Sequence, residues 1–330
     1  MSPKVTWPSE FLSSYMARIA IILPCYNEET AVGATIEAFR SHVPEAEIWV
    51  CDNRSTDRTA EIARGKGARV IIEPLAGKGN AVRRLFAEVD ADVYVLADGD
   101  LTYDASAAPR LVGALLSDRY DMIVGRRIPA QHAAYRTGHH FGNQLFSMAA
   151  SLLFGFQVAD ILSGYRVFSR RFVKTFPATS EGFEIESEFN VHAIDQRLPT
   201  CELETLYFAR PDGSTSKLST FRDGLRIAVA LLRLFRDARP FPFFGILAGL
   251  LFLVSAVLST SVFRNYFTLG EIPNIPTAIL VTGLAVTSFV VFMAAVILDA
   301  IRLTRHNQFR VTYLSQDTSY FREIETGSKK

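Results

Sequence analysis

Cysteine and tryptophan are scarce in this chain, with three of the first and two of the second among 330 residues. Cys25, Cys51 and Cys201 stand far apart and show no metal-ligand spacing. That argues against a disulfide framework or a zinc site and fits a reduced, cytosolic setting for the polar part of the chain. An excess of one charge sign is missing too. Thirty-five basic and 34 acidic side chains leave a net charge of +1, so no polyanionic partner is implied and nucleic acid is not expected. The opening MSPKVTWPSE lacks the basic-then-apolar pattern of an export signal, which argues against secretion of the first domain. The Walker spacing G-x-x-x-x-G-K-[ST] is also absent, which weakens an ATPase reading.

Charge disappears altogether from two stretches, Pro240 to Phe263 and Ile272 to Leu298. Each exceeds the roughly 20 apolar residues that cross a bilayer. Their connection, RNYFTLGE, carries one Arg and one Glu, whereas Arg233, Arg236 and Arg239 precede the first stretch and Arg302 and Arg305 follow the second. The positive-inside rule then places both long ends in the cytoplasm, giving a two-pass membrane hairpin behind a cytosolic domain. Before it, FRDGLRIAVALLRLFRDARP sets Phe221, Leu225, Ala228, Leu232 and Phe235 at helical spacing among arginines. This predicts an amphipathic helix in the headgroup layer, an ordinary packed helix being the alternative.

The whole chain is 49% hydrophobic, and its remainder alternates short β-rich runs with helical spacing. RIAIILP (18–24), EIWVCD (47–52), ARVIIE (68–73) and DVYVLAD (92–98) read as strands, and ETAVGATIEAFRSH, STDRTAEIARGKG and GNAVRRLFAEVD as helices between them. Such alternation predicts an α/β fold with a mostly parallel, Rossmann-like sheet whose ligands sit at the carboxyl ends of the strands. Asp52 and Asp98 fall at such ends, as do Pro24, Tyr26 and Glu28 in PCYNEE. Ser55 or Thr56 is placed to cap the helix that follows CDNRSTD.

VLADGDLTYD ends a buried strand with two carboxylates one residue apart, Asp98 and Asp100. Like charges so close repel unless a cation lies between them, and Mg²⁺ or Mn²⁺ takes one or two carboxylates together with substrate phosphates. The pair therefore points to a metal-diphosphate site, although an Asp-Gly turn alone would also account for it. Lys78, in the glycine-flanked GKGN, is suited to a phosphate neighbour. His139 and His140 are adjacent, not at the i, i+4 spacing of helical metal ligands, and read as surface residues. Glu184 and Glu188 in FEIESE would share a helix face that Glu186 would not.

In this order, ILPCYNEE, CDNRSTDRT, GKGNAVR, LADGD, DILSGYRVF, GFEIESE and RPDGSTSKLSTFRDGLRI resemble family 2 glycosyltransferases of the GT-A fold. The resemblance is to the polyprenyl-phosphate type typified by dolichyl-phosphate mannose synthases, and it covers about residues 18–236. Arg54 departs from the family pattern, which has a small residue there.

The resemblance implies that Pro24, Tyr26 and Glu28 line a nucleoside pocket, with Asp52 facing the base and Lys78 and Gly99 near the nucleotide. Asp98 and Asp100 would carry the metal. Arg126, Arg210, Ser216 and Lys217 would hold donor or acceptor phosphates, guanidinium groups pairing bidentately with phosphate. Asn143 and Arg166 are further acceptor-phosphate candidates. The implied organisation is an extension (1–17), a GT-A domain (18–217), the interfacial helix (218–239), a transmembrane hairpin (240–302) and a cytoplasmic tail (303–330).

The implied activity is inverting transfer of one sugar from a UDP- or GDP-sugar to undecaprenyl or dolichyl phosphate, with Mg²⁺ or Mn²⁺, by a homo-oligomer. A processive polysaccharide synthase needs a Q-x-x-R-W tryptophan beyond the middle of the domain, and only Trp7 and Trp49 exist. A non-enzymatic nucleotide-binding membrane module is the alternative from another class. It would not need the Asp98/Asp100 pair.

Overall fold

The computed structural model of the chain describes residues 17–130, 160–180, 182, 184–210, 229, 232–316 and 318. Two compact units emerge, one of Met1–Leu231 with Phe309–Lys330 and one of Leu232–Gln308.

Seven strands build the first unit: β1 (Ile19–Cys25), β2 (Glu47–Asp52), β3 (Arg69–Ile72), β4 (Val93–Leu96), β5 (Met122–Pro129), β6 (Arg166–Ser169) and β7 (Thr200–Tyr207). They lie in the order β3-β2-β1-β4-β6-β5-β7. β1 pairs in parallel with β2 and β4, and β2 with β3, as the alternating pattern requires. β6 breaks the pattern by running antiparallel to both β4 and β5, which makes the sheet mixed.

Period-2 alternation along β1 sends Ile21 and Leu23 to one face and Ala20 and Ile22 to the other. Both faces are covered. On the first, α1 (Val32–His42) contributes Val32, Ile36 and Phe39, one stripe at helical spacing, and α4 (Ala108–Ser117) adds Leu111 and Leu115. On the second, α3 (Lys78–Glu88) brings Val82, Leu85 and Phe86 onto Phe168 of β6, Phe172 of α5 (Arg170–Thr175) and Phe189 of α6 (Ile185–Asp195). α2 (Thr59–Gly65) follows β2. Its start differs from the cap placed at Ser55 or Thr56. Asp57 accepts from the Thr59 amide at 3.0 Å, whereas Ser55 Oγ accepts from the Asn27 amide and the Thr56 amide donates to Asn27 Oδ1. Those two residues join the loops after β1 and β2.

The second unit contains α7 (Pro240–Leu269) and most of α8 (Ile275–Ser315), both long and apolar enough to cross a membrane. Pro240 occupies the first turn of α7, where its missing N–H costs no bond, and Gly270 ends it in the left-handed region at φ 73°. Ser255 Oγ donates to the Val281 carbonyl and Ser288 Oγ to the Ala248 carbonyl, each at 2.9 Å, tying the helices across an otherwise apolar contact. α8 does not stop near residue 302. It stays helical through Ser315, so the first part of the expected tail is helix. Of the expected interfacial helix, Val229 and residues 232–238 are described, and they are helical.

Candidate active site

A cavity of about 570 Å³ opens at the carboxyl ends of β1, β2 and β4, a size suited to a small organic ligand. Its walls are set by loops that bond to one another. After β1, Asn27 takes a left-handed φ of 52°, and the Glu28 amide then donates to Thr59 Oγ1 at 2.8 Å. Pro24, Tyr26 and Glu28 all reach the cavity.

After β2 it is Asn53, not Asp52, that lines the wall. Asp52 Oδ1 accepts the Ser55 amide at 3.1 Å and so holds the turn. Asn53 donates to the Leu75 and Glu73 carbonyls and accepts the Gly77 amide at 2.7 Å, pinning the segment that delivers Lys78. Gly77, at φ 127° and ψ 138°, occupies backbone space that side-chain-bearing residues avoid. Arg54, the departure from the family pattern, also adopts a positive φ, 64°, and lies on the cavity rim.

Beyond β4 the D-G-D turn enters the cavity. Asp100 is 2% exposed, accepts from Thr102 Oγ1 at 2.6 Å and pairs with Arg210 at 2.7 Å. Burial and the charge of Asp98 push its carboxyl above the usual range, against the pull of Arg210. Asp98 pairs with Lys78 at 2.5 Å, and Lys78 reaches Glu186 Oε1 at 2.6 Å. Burial alone would lower the Lys78 ammonium, but Asp98 and Glu186 outweigh it and hold it above its ordinary value. Gly99 is required because a Cβ there would lie 2.4 Å from Cys25 Sγ. Gly164 is closely approached too, though by the ends of side chains. Its Cβ would come within 2.9 Å of Lys78 Nζ and 3.1 Å of Asp98 Oδ2 and Tyr103 Oη.

The sequence offers all three acids of FEIESE as groups to orient a sugar or a phosphate clamp, or for simple ion pairing, and Glu186 is the one that enters the cavity. It is 3% exposed, burial raises its carboxyl against the opposing charge of Lys78, and its Oε2 has no hydrogen-bond partner among the described residues. Glu188 instead accepts the Thr179 and Ser180 amides at 2.9 Å, a structural role. A buried acceptor facing a cavity is suited to a ligand hydroxyl.

Two arginine assignments change. Arg126 points away from the cavity and pairs with Glu204, because successive side chains of β5 alternate between faces. Arg127 is the one at the cavity, held by Asp160 at 2.7 and 2.8 Å and lying over the Tyr207 ring at 5.5 Å. Arg166 is no phosphate ligand. Fully buried in β6, it donates to Ser163 O at 2.9 Å and to Ile161 O and Asn190 Oδ1 at 3.0 Å, and burial draws its guanidinium down to about 10. Asn143, Ser216 and Lys217, with His139 and His140, lie outside the described residues.

Two hard carboxylates at a strand end suit an Mg²⁺ or Mn²⁺ ion that is completed by substrate oxygens. Among the described residues no group of three or more Asp, Glu, His or Cys side chains is placed to hold a metal ion by itself. Asp98 and Asp100 would hold it.

A mostly parallel sheet carrying this cavity at its strand ends is the fold of GT-A glycosyltransferases, and the crystal structure of glucosyl-3-phosphoglycerate synthase from Mycobacterium tuberculosis with Mn²⁺, UDP and glucosyl-3-phosphoglycerate shares it. That structure superposes at a TM-score of 0.59 with 24% identity, covering 71% of this chain and 86% of the other. The sequence profile of Glycosyl transferase family 2 matches residues 20–176. Glycosyltransferase AglJ of Haloferax volcanii is 34% identical over 229 residues, 69% of this chain and 75% of the relative. A dolichyl-phosphate hexose transferase of the same organism is 31% identical over 222 residues, 67% of this chain and 95% of the relative. The chain is a glycosyltransferase and belongs to family 2.

Proposed function

We propose that the enzyme transfers one sugar, with inversion, from a UDP- or GDP-sugar to the phosphate of a polyprenyl phosphate at the cytoplasmic face of a membrane, acting as a homo-oligomer. The observation that carries this reading is the convergence of Asp98 and Asp100 with Lys78, Arg127 and Arg210 in one cavity. Paired carboxylates beside three cations suit a diphosphate donor with a divalent ion and a second, phosphorylated ligand. The named activity of the Haloferax relative supports a lipid phosphate as that ligand. Helices α7 and α8 would keep the enzyme in the membrane that holds the lipid, and the arginines flanking them support cytoplasmic termini.

The chemistry needs little beyond placement and charge. A phosphate monoester has a second pKa near 6, so at neutral pH most of the acceptor is already an anionic nucleophile. No carboxylate has to take a proton from it. Arg127 and Arg210 would screen its repulsion from the donor, and Glu186 Oε2 would accept from a donor-sugar hydroxyl, orienting the anomeric carbon. A divalent ion on Asp98 and Asp100 supplies counter-charge for the departing nucleoside diphosphate.

The test is reconstitution of the purified full chain with Mn²⁺, undecaprenyl or dolichyl phosphate, and a panel of UDP- and GDP-sugars. Lipid-linked sugar formed with stoichiometric release of UDP or GDP supports the reading. Nucleotide hydrolysis alone, or transfer only to a soluble phosphorylated acceptor such as phosphoglyceric acid, overturns it.

A further inference from the structure

Each carboxylate of the D-G-D turn is already paired with a cation of the chain itself. Lys78 Nζ sits 2.5 Å from Asp98 and 2.6 Å from Glu186, in a side chain only 9% exposed. Arg210 sits 2.7 Å from Asp100, whose side chain is 3% exposed. Four carboxylates line the cavity (Glu28, Asp98, Asp100 and Glu186), and Arg127 is committed to Asp160. Lys78 and Arg210 are the cations paired with Asp98, Glu186 and Asp100, and buried like charges require such partners.

A divalent ion arriving alone would have to displace Lys78 and Arg210 from the carboxylates they already hold. A nucleoside diphosphate arriving alone would recruit Lys78 and Arg210 only by uncovering buried acids. Arriving together, the two ligands exchange partners with the chain: the ion takes over the carboxylates while lysine and arginine turn to the phosphates. No covalent bond forms or breaks in this exchange.

We infer that Lys78 and Arg210 are stand-in counter-ions, and that their transfer from carboxylate to phosphate makes metal and nucleotide binding mutually dependent. The inference rests on the reading of the cavity as a nucleoside-diphosphate site. By linkage, each ligand must raise the affinity of the other by the same factor, and couplings of this kind are typically about 5–150-fold. The GKGN lysine thus has a role in the empty enzyme as well as in the complex.

The experiment measures free Mn²⁺ by electron paramagnetic resonance, with the full chain in detergent titrated with MnCl₂ alone and at saturating UDP or GDP. In the wild type, nucleotide should strengthen Mn²⁺ binding at least 10-fold. In Lys78→Gln, Mn²⁺ alone should bind at least 5-fold more tightly than in the wild type, while UDP or GDP binding in excess Mn²⁺ weakens and the coupling shrinks toward unity. Arg210→Gln should shift both affinities in the same directions through Asp100, so the claim does not depend on the folding of one variant. Nucleotide that binds without altering wild-type Mn²⁺ affinity would overturn the exchange while leaving the nucleotide site intact. Unchanged or weaker Mn²⁺ binding by both folded variants would overturn it too. If neither UDP nor GDP binds at any Mn²⁺ concentration, the nucleotide-site reading itself fails.

Discussion

The hydroxyl of Tyr313 donates a 2.8 Å hydrogen bond to Oδ2 of Asp121, a residue 192 positions earlier in the chain. Asp121, fully buried at the start of β5, also accepts from Ser169 Oγ at 2.6 Å and from Arg171 Nε at 3.2 Å. Arg171 in turn lies over the Tyr313 ring, 4.6 Å from its centroid. The last turns of α8 thus belong to the polar network of the catalytic unit, which makes residues 309–315 a structural part of it.

Tyr313→Phe should therefore cost about 1.5–3 kcal/mol, the worth of one hydrogen bond to a charged group. Asp121→Ala should cost about 3 kcal/mol or more, since it removes a buried carboxylate that accepts from Tyr313, Ser169 and Arg171 together. Thermal unfolding of the two variants in detergent, followed by circular dichroism, tests the ranking. Equal, negligible shifts would show that the network holds nothing.

Gly99→Ala should destabilise the enzyme by roughly 1–3 kcal/mol and impair donor binding, because the new Cβ overlaps Cys25 Sγ at 2.4 Å. Removing that sulfur leaves Cys25 Cβ at 3.7 Å and Glu28 Cγ at 3.9 Å, both ordinary contacts. The double variant Gly99→Ala with Cys25→Ala should therefore regain much of the loss, a non-additivity expected of touching residues. Strictly additive stabilities would rule the contact out as the cause.

Asp98→Asn and Asp100→Asn should each lower transfer by about 100-fold or more while leaving the fold intact, since each removes charge aimed at the donor diphosphate. EDTA should do the same to the wild type, reversibly on adding Mn²⁺. Full activity in EDTA would end the metal assignment.

Glu186→Gln should raise the donor KM and lower kcat yet leave measurable transfer, because a phosphate acceptor needs no base. Arg210→Ala should cost considerably more. If the Gln variant bound donor normally, lost all transfer and regained it on adding formate or azide, a carboxylate base would be operating.

Acid sensitivity should trace in part to His192. Its ring is 6% exposed, set edge-on to Phe172, Phe176 and Phe309, and burial lowers its pKa to about 3. The unfolded chain takes up a proton near pH 6.5 that the folded chain refuses, so stability falls as pH drops from about 6.5 toward 3. Between pH 8 and 5 this amounts to about 2 kcal/mol. His192→Gln should show a smaller loss of melting temperature over that interval than the wild type. An identical loss would assign the acid sensitivity elsewhere.

Much of this protein is written locally. Strand runs such as IAIILPC and the stripe Val32, Ile36, Phe39 are short-range patterns, and they coincide with β1 and α1. Two charge-free stretches coincide with α7 and α8 because length and apolarity suffice to mark helices that can cross a membrane. The D-G-D turn at the end of a buried strand needed only the rule that ligands gather at strand ends, and the cavity contains it. Lys78 had a similar local signal in its flanking glycines.

Tertiary structure alone decided the rest. Arg126 and Arg127 are adjacent, and only the phase of β5 against its neighbours selects which one reaches the cavity. Arg166 looks like a phosphate ligand until β6 is seen wedged antiparallel between β4 and β5, which buries it completely. Glu186 and Lys78 meet only because α3 and α6 pack on the same face of the sheet. Nothing periodic in the sequence records that meeting. Local sequence sets which segments are strand or helix through short-range sterics and amphipathic spacing. The order of strands and the face each side chain takes follow from how the whole core closes, and at this cavity that closure chose the residues.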